Sequence, residues 1–249
     1  MLNFNLDIKY YILSAIAALV ALTVHEFSHG FAASKMGDNT ARMLGRLSFN
    51  PLKHLDILGT ISMVLFGFGW AKPVPVDARN FKNPKKGFAL TALAGPLANL
   101  ILGFIFAGIY LLYHALLGGV AFEEGFLLNL AQTVSDFLWI FFTLNIGLAL
   151  FNLIPVPPLD GSRILHVILP ERLYFKLMQH ERKIYLFMII WLLAGDVLAN
   201  AVRSLPPVQS IPWLYQAAGV LSLSEIIGYA VSGVVRLIMK FWMLIPFLR

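Results

Sequence analysis

The chain has 249 residues, 59% of them hydrophobic and only 13% Asp, Glu, Lys or Arg. Soluble domains carry about 25% charged residues, so a soluble enzyme is excluded and a multi-span helical membrane protein is expected. Barrel-type alternation is absent, the lack of Cys removes disulfides and thiolate ligands, and the +6 formal charge is accounted for by topology below.

In chain order, the first span covers residues 8–35 and stops at Met36-Gly37-Asp38; residues 1–7 lack the basic region of a cleavable leader. A basic region punctuated by Gly and Pro fills 38–86. Within it, residues 57–70 are apolar but short and broken by Gly59, Gly67 and Gly69, so a re-entrant or interfacial segment is expected. Ala71-Lys72-Pro73-Val74-Pro75-Val76 cannot be helix and reads as extended. Spans follow at 87–117 and 125–153, after which Pro155, Pro157 and Pro158 unwind the chain. Short interfacial helices are expected up to residue 183, then a fourth span at 184–202 and a fifth at 218–244, with a Pro-rich loop between them. The expected fold is an all-α polytopic membrane protein of about five to six transmembrane helices, with a re-entrant, β-like segment between the first two core spans. It reads as one membrane domain over 1–249, with a metal-site core at about 8–161 and C-terminal helices at about 162–249.

Charge orients these spans. Residues 35–86 hold nine Lys/Arg and 163–183 hold five, while Arg236, Lys240 and Arg249 close the chain; only Lys9 and Arg203 fall on the other side. Basic loops stay in the cytoplasm, so the N-terminus is expected outside. The positive charge then needs no nucleic-acid partner.

His25-Glu26-Phe27-Ser28-His29 lies near the cytoplasmic end of the first span. Histidines at i and i+4 share a helix face and can reach one metal ion, with Glu26 placed to take a proton from water. The bland reading is a chance pattern or a polar helix-capping cluster. The chain break at 152–161 falls at a similar depth on the same side. A catalytic zinc takes three protein ligands, and without Cys the third is His, Asp or Glu. Asp160, between Pro158 and Gly161, is the natural candidate; alternatively it N-caps the helix that follows.

These segments together resemble the site-2 protease family of intramembrane zinc metalloproteases. His25–His29 matches its HExxH helix, and Asn152-Leu153-Ile154-Pro155-Val156-Pro157-Pro158-Leu159-Asp160-Gly161 matches its NxxPxPxLDG segment. Gly95-Pro96-Leu97-Ala98-Asn99 is similar to its GPxxN element. The resemblance implies one Zn2+ per chain on His25, His29 and Asp160, with Glu26 as general base. It also implies transmembrane protein substrates in the lipid bilayer of a prokaryotic cell membrane, cut toward the cytoplasmic side.

Asn152 and Asn99 become candidate substrate-binding residues, Asn152 as a donor to the developing oxyanion. Asn152 can equally cap the broken helix end, and Asn99 can satisfy a carbonyl freed by Pro96. Val74 and Val76 are candidates for an edge strand that pairs with an extended substrate; a polyproline-like linker is the alternative. His54 is expected to be a solvated interfacial residue and Asp196 a hydrogen-bonded structural acid. A rival of another class is a transporter or channel with an intramembrane metal or proton site; a second is an inactive scaffold.

Overall fold

In lipid, helices associate by close packing of small residues because apolar side chains gain nothing by leaving the hydrocarbon. In the computed structural model, which describes residues 8–59, 62, 69–118, 120 and 123–248, that rule organises the first helices. The first, α1 (Ile8–Met36), buries Ala17, Ala21, His25, His29 and Ala33. These residues stand four apart, one stripe of a helix. The second, α2 (Pro84–Leu117), buries Ala92, Gly95, Asn99, Gly103 and Ala107 along a matching stripe. Its opposite face exposes Leu97, Ile101, Ile105, Ile109, Leu112 and Leu116, the face that lipid tails would cover.

Antiparallel to α2 runs α3 (Phe126–Asn152). Ile146 of α3 sits against Gly103, and Phe142, Ile146 and Ala107 form a buried cluster. Phe141 and Ile140 of α3 enclose Ala17 of α1, and Lys9 pairs with Asp136 at 2.7 Å. The prolines end α3 as expected. A tight return leads into α4 (Asp160–Ile168) and α5 (Glu171–Gln179), then α6 (Glu181–Arg203), three short helical segments, and α7 (Leu223–Trp242).

Helices α1, α2, α3 and α6 are long and apolar enough to cross a membrane, and a fifth span arises if Pro212–Leu221 and α7, bent by 105°, count as one. The molecule is therefore an all-α polytopic membrane protein. Residues 60, 61 and 63–68, the middle of the expected re-entrant segment, lie outside the described residues. The described ends of that segment meet: Leu55 and Ala71 form an antiparallel bridge, and Gly59 packs on the Trp70 carbonyl. Residues 72–77 are extended but form no strand among the described residues.

One expectation is overturned. The last span was expected to run toward the cytoplasm, but α7 starts beside Leu159, passes Gly147 through Val231, and ends with Trp242 against Gly108 of α2. It runs away from the His25–Asp160 end. Counting apolar runs assumes that each one crosses; here α6 and its return stay tied to the start of α7. Trp191 donates to the Leu221 carbonyl at 2.8 Å, Asp196 accepts from Ser222 and Ser224, and Arg203 pairs with Glu225 at 2.6 Å. Arg236 and Lys240 therefore leave the site end, which keeps the nine Lys/Arg of 35–86 and the five of 163–183.

Candidate active site

Helical spacing stacks His25 and His29 with ring centroids 4.5 Å apart and edge to face. Both rings lean on α2 at Gly95, where a Cβ would stand 2.5 Å from His29 Nε2 and 2.7 Å from His25 Cε1. Only glycine admits both imidazoles there.

Each ring is held by its Nδ1. His29 Nδ1 lies 2.7 Å from the Thr91 carbonyl, which only accepts, so this nitrogen donates. His25 Nδ1 lies 2.6 Å from Asn99 Oδ1. The Asn99 amide nitrogen donates to Asn145 Oδ1 at 2.7 Å and to the Ala21 carbonyl at 3.3 Å. Asn145 in turn donates to the Phe141 carbonyl at 2.8 Å. That relay orients the Asn99 oxygen toward His25, so His25 Nδ1 also donates.

Both Nε2 lone pairs then face inward, 3.0 Å apart. Asp160 Oδ2 completes the triangle, 3.1 Å from His25 Nε2 and 3.2 Å from His29 Nε2. Asp160 is the first residue of α4 and does not cap it. Gly161 makes this possible by packing under the Leu153 and Ile154 carbonyls at the broken end of α3, where a side chain would push the carboxylate away. Two lone pairs and a carboxylate oxygen held this close repel one another unless a cation shares them. Ligands about 2.0–2.1 Å from a tetrahedral zinc stand about 3.3 Å apart, so the donor set fits that ion. Its Nδ1 partners supply the outer support usual for metal-bound imidazoles.

Glu26, between the histidines, accepts the Val74 backbone N–H on Oε2 at 2.7 Å. The extended segment thus lies directly on the carboxylate. Lys72 N–H donates to the His54 carbonyl at 2.8 Å, Arg46 donates to the Lys72 carbonyl at 2.8 Å, and Asp77 N–H donates to Asp38 at 2.7 Å. Of the edge whose N–H groups Pro73 and Pro75 leave to Lys72, Val74 and Val76, the first two are thus already held by the protein. Val74 and Val76 also wall a small pocket with His29, Asp160, Thr91 and Arg163.

Three placements differ from the sequence reading. Asn99 is wholly buried and spends both ends of its amide inside the protein, with its oxygen on His25. Asn152 donates to the Leu148 carbonyl at 2.9 Å, a bond on its own helix. His54 is buried, with Nε2 on the Ser48 carbonyl at 2.7 Å, and holds the loop that carries the extended segment. Asn145 and Thr91 were missed. Asn145 did carry a signal, an amide in the apolar run of α3.

Comparisons with known proteins place the chain in a family. The family model described as Peptidase family M50 matches residues 13–195. The chain is 45% identical over 166 residues to YwhC of Bacillus subtilis, covering 67% of this chain and 73% of that one. It is 32% identical over 163 residues to MJ0611 of Methanocaldococcus jannaschii, covering 65% and 73%. Over 153 residues it is 28% identical to Rip2 of Mycolicibacterium smegmatis, covering 57% of this chain and 52% of that one. Each of these three relatives carries the name "Putative zinc metalloprotease". No solved structure matches.

Proposed function

This chain belongs to Peptidase family M50 and is a zinc metalloprotease of the membrane, and we propose that its substrates are the transmembrane segments of other membrane proteins. His25, His29 and Asp160 hold one zinc ion, and Glu26 is the general base. The site faces the cytoplasm of a prokaryotic cell. The observation that carries this reading is the convergence of the three donor atoms within 4.8 Å of one another, two from the apolar helix α1 and one from the start of α4.

When bound, zinc polarises a peptide carbonyl and lowers the pKa of water toward neutrality. Glu26 takes the proton of the attacking water on its carboxylate and returns it to the leaving amine nitrogen as the C–N bond breaks. Asn99 and the Thr91 carbonyl keep both imidazoles in the one tautomer that presents Nε2. The extended segment supports the substrate reading, because it walls the pocket beside His29 and Asp160, where a helical substrate must unwind to expose a peptide bond. The basic residues of 35–86 and 163–183 at the site end support the cytoplasmic orientation.

The test uses purified protein in micelles with a model transmembrane substrate. The wild type should cleave it and lose turnover to a chelator. Glu26→Gln should keep zinc and lose cleavage by about a thousandfold, and Asp160→Ala should lose zinc. Ion flux in vesicles without proteolysis would instead establish the transporter reading.

A further inference from the structure

We propose that Arg163, with the Thr91 hydroxyl beside it, binds the carbonyl oxygen of the scissile peptide and takes up the negative charge that develops there. This rests on the proteolytic reading above. Arg163 is three residues after Asp160 on α4, so both side chains leave the same face. Together with His29, Thr91, Val74 and Phe88 they wall one pocket.

The guanidinium lies over the Phe88 ring, 5.0 Å from its centroid. It makes no hydrogen bond or ion pair with any described residue. An arginine stays charged in any protein setting and offers five donors in a fixed fork. Stacking on Phe88 holds it in place and leaves the fork free.

Thr91 supplies an independent observation. It is 4% exposed, and its buried hydroxyl has no partner among the described residues. Helical threonines ordinarily bond a carbonyl of the preceding turn. Two residues that wall the pocket of Asp160 and His29 thus carry donors with no partner among the described residues. Asn152, the alternative donor, is not part of this wall and gives one amide hydrogen to the Leu148 carbonyl.

A guanidinium on the pocket wall adds a positive charge near the carbonyl carbon's attacked face, where negative charge develops on the oxygen. As the water oxygen bonds to the carbonyl carbon, the C=O electron pair moves onto the carbonyl oxygen. It returns when the C–N bond breaks and the amine nitrogen takes the proton from Glu26. Arg163 and Thr91 donate to that oxygen while it is charged.

The experiment compares wild type, Glu26→Gln, Arg163→Gln, Arg163→Lys and Thr91→Val as full-length proteins in micelles, with zinc content measured for each. We expect Arg163→Gln to keep its zinc and lower kcat about 100-fold, with KM changed less than about threefold. Added guanidinium ion should restore part of the loss, Arg163→Lys should fall in between, and Thr91→Val should lower kcat by about tenfold. A raised KM with unchanged kcat, or a loss seen only with an acidic residue beside the scissile bond, would overturn the inference by making Arg163 a reader of substrate side chains. Loss of zinc without guanidinium rescue would make its role structural and overturn it too. If wild type cleaves and Glu26→Gln does not, the proteolytic reading stands whatever Arg163 does; a wild type with no turnover ends both.

Discussion

Gly95 does as much for the site as the histidines that rest on it. Alanine there would put a methyl group 2.5 Å from His29 Nε2 and 2.6 Å from its Cε1, and neither ring can retreat without breaking its Nδ1 bond. Gly95→Ala should therefore lower zinc content and abolish activity while helix content by circular dichroism holds, since alanine is the better helix former. Asn99→Leu removes the acceptor of His25 Nδ1 and orphans Asn145. Zinc affinity should fall about 10–100-fold, measured by competition with a chromophoric chelator. His25, Glu26 and His29 were legible because four-residue spacing is a local property of a helix. Asp160 was legible as either a ligand or a cap, and the resemblance favoured the ligand. The partners of the rings, Thr91 62 positions and Asn99 74 positions away, were not legible. Such contacts exist only once α1 and α2 have packed.

Among the elements, α7 is where sequence reasoning failed, and the reason is parity. Each long apolar run is read as a crossing, yet the 105° bend before α7 returns the chain to the site end first. The chain has no Cys, so single cysteines introduced at Lys82 and Phe247 can be probed with a membrane-impermeant maleimide. They should label from opposite sides of the membrane; labelling from one side would restore the original topology. The loop that holds the extended segment depends on Asp38, whose carboxylate accepts from Thr40, Asn80 and the Asp77 N–H. Burial raises its pKa, but these hydrogen bonds outweigh that and hold it below the usual carboxylate value. A depressed folded-state pKa means that the stabilisation is complete above the unfolded value of about 3.9. It is lost as pH falls through the folded value. Asp38→Ala should destabilise the fold by about 2–3 kcal/mol near neutral pH, and the difference from wild type in thermal melts should shrink below about pH 3–4.

Across the whole molecule, the proposed ligand set would have zinc join α1 to α4, so metal binding and stability would be linked. At free zinc about 100-fold above its dissociation constant, binding to the folded state alone contributes about 2.7 kcal/mol. A chelator should lower the melting temperature of the wild type and leave that of Asp160→Ala unmoved, by differential scanning fluorimetry. The same join has a consequence for biosynthesis. His25 and Asp160 stand 135 positions apart, so an emerging chain carries only a two-histidine half-site until residue 160 has been synthesised and folded back beneath α3. Zinc loading is then one of the last events of assembly, and a nascent chain stopped before the Pro155 break should be inserted in the membrane yet hold zinc only weakly.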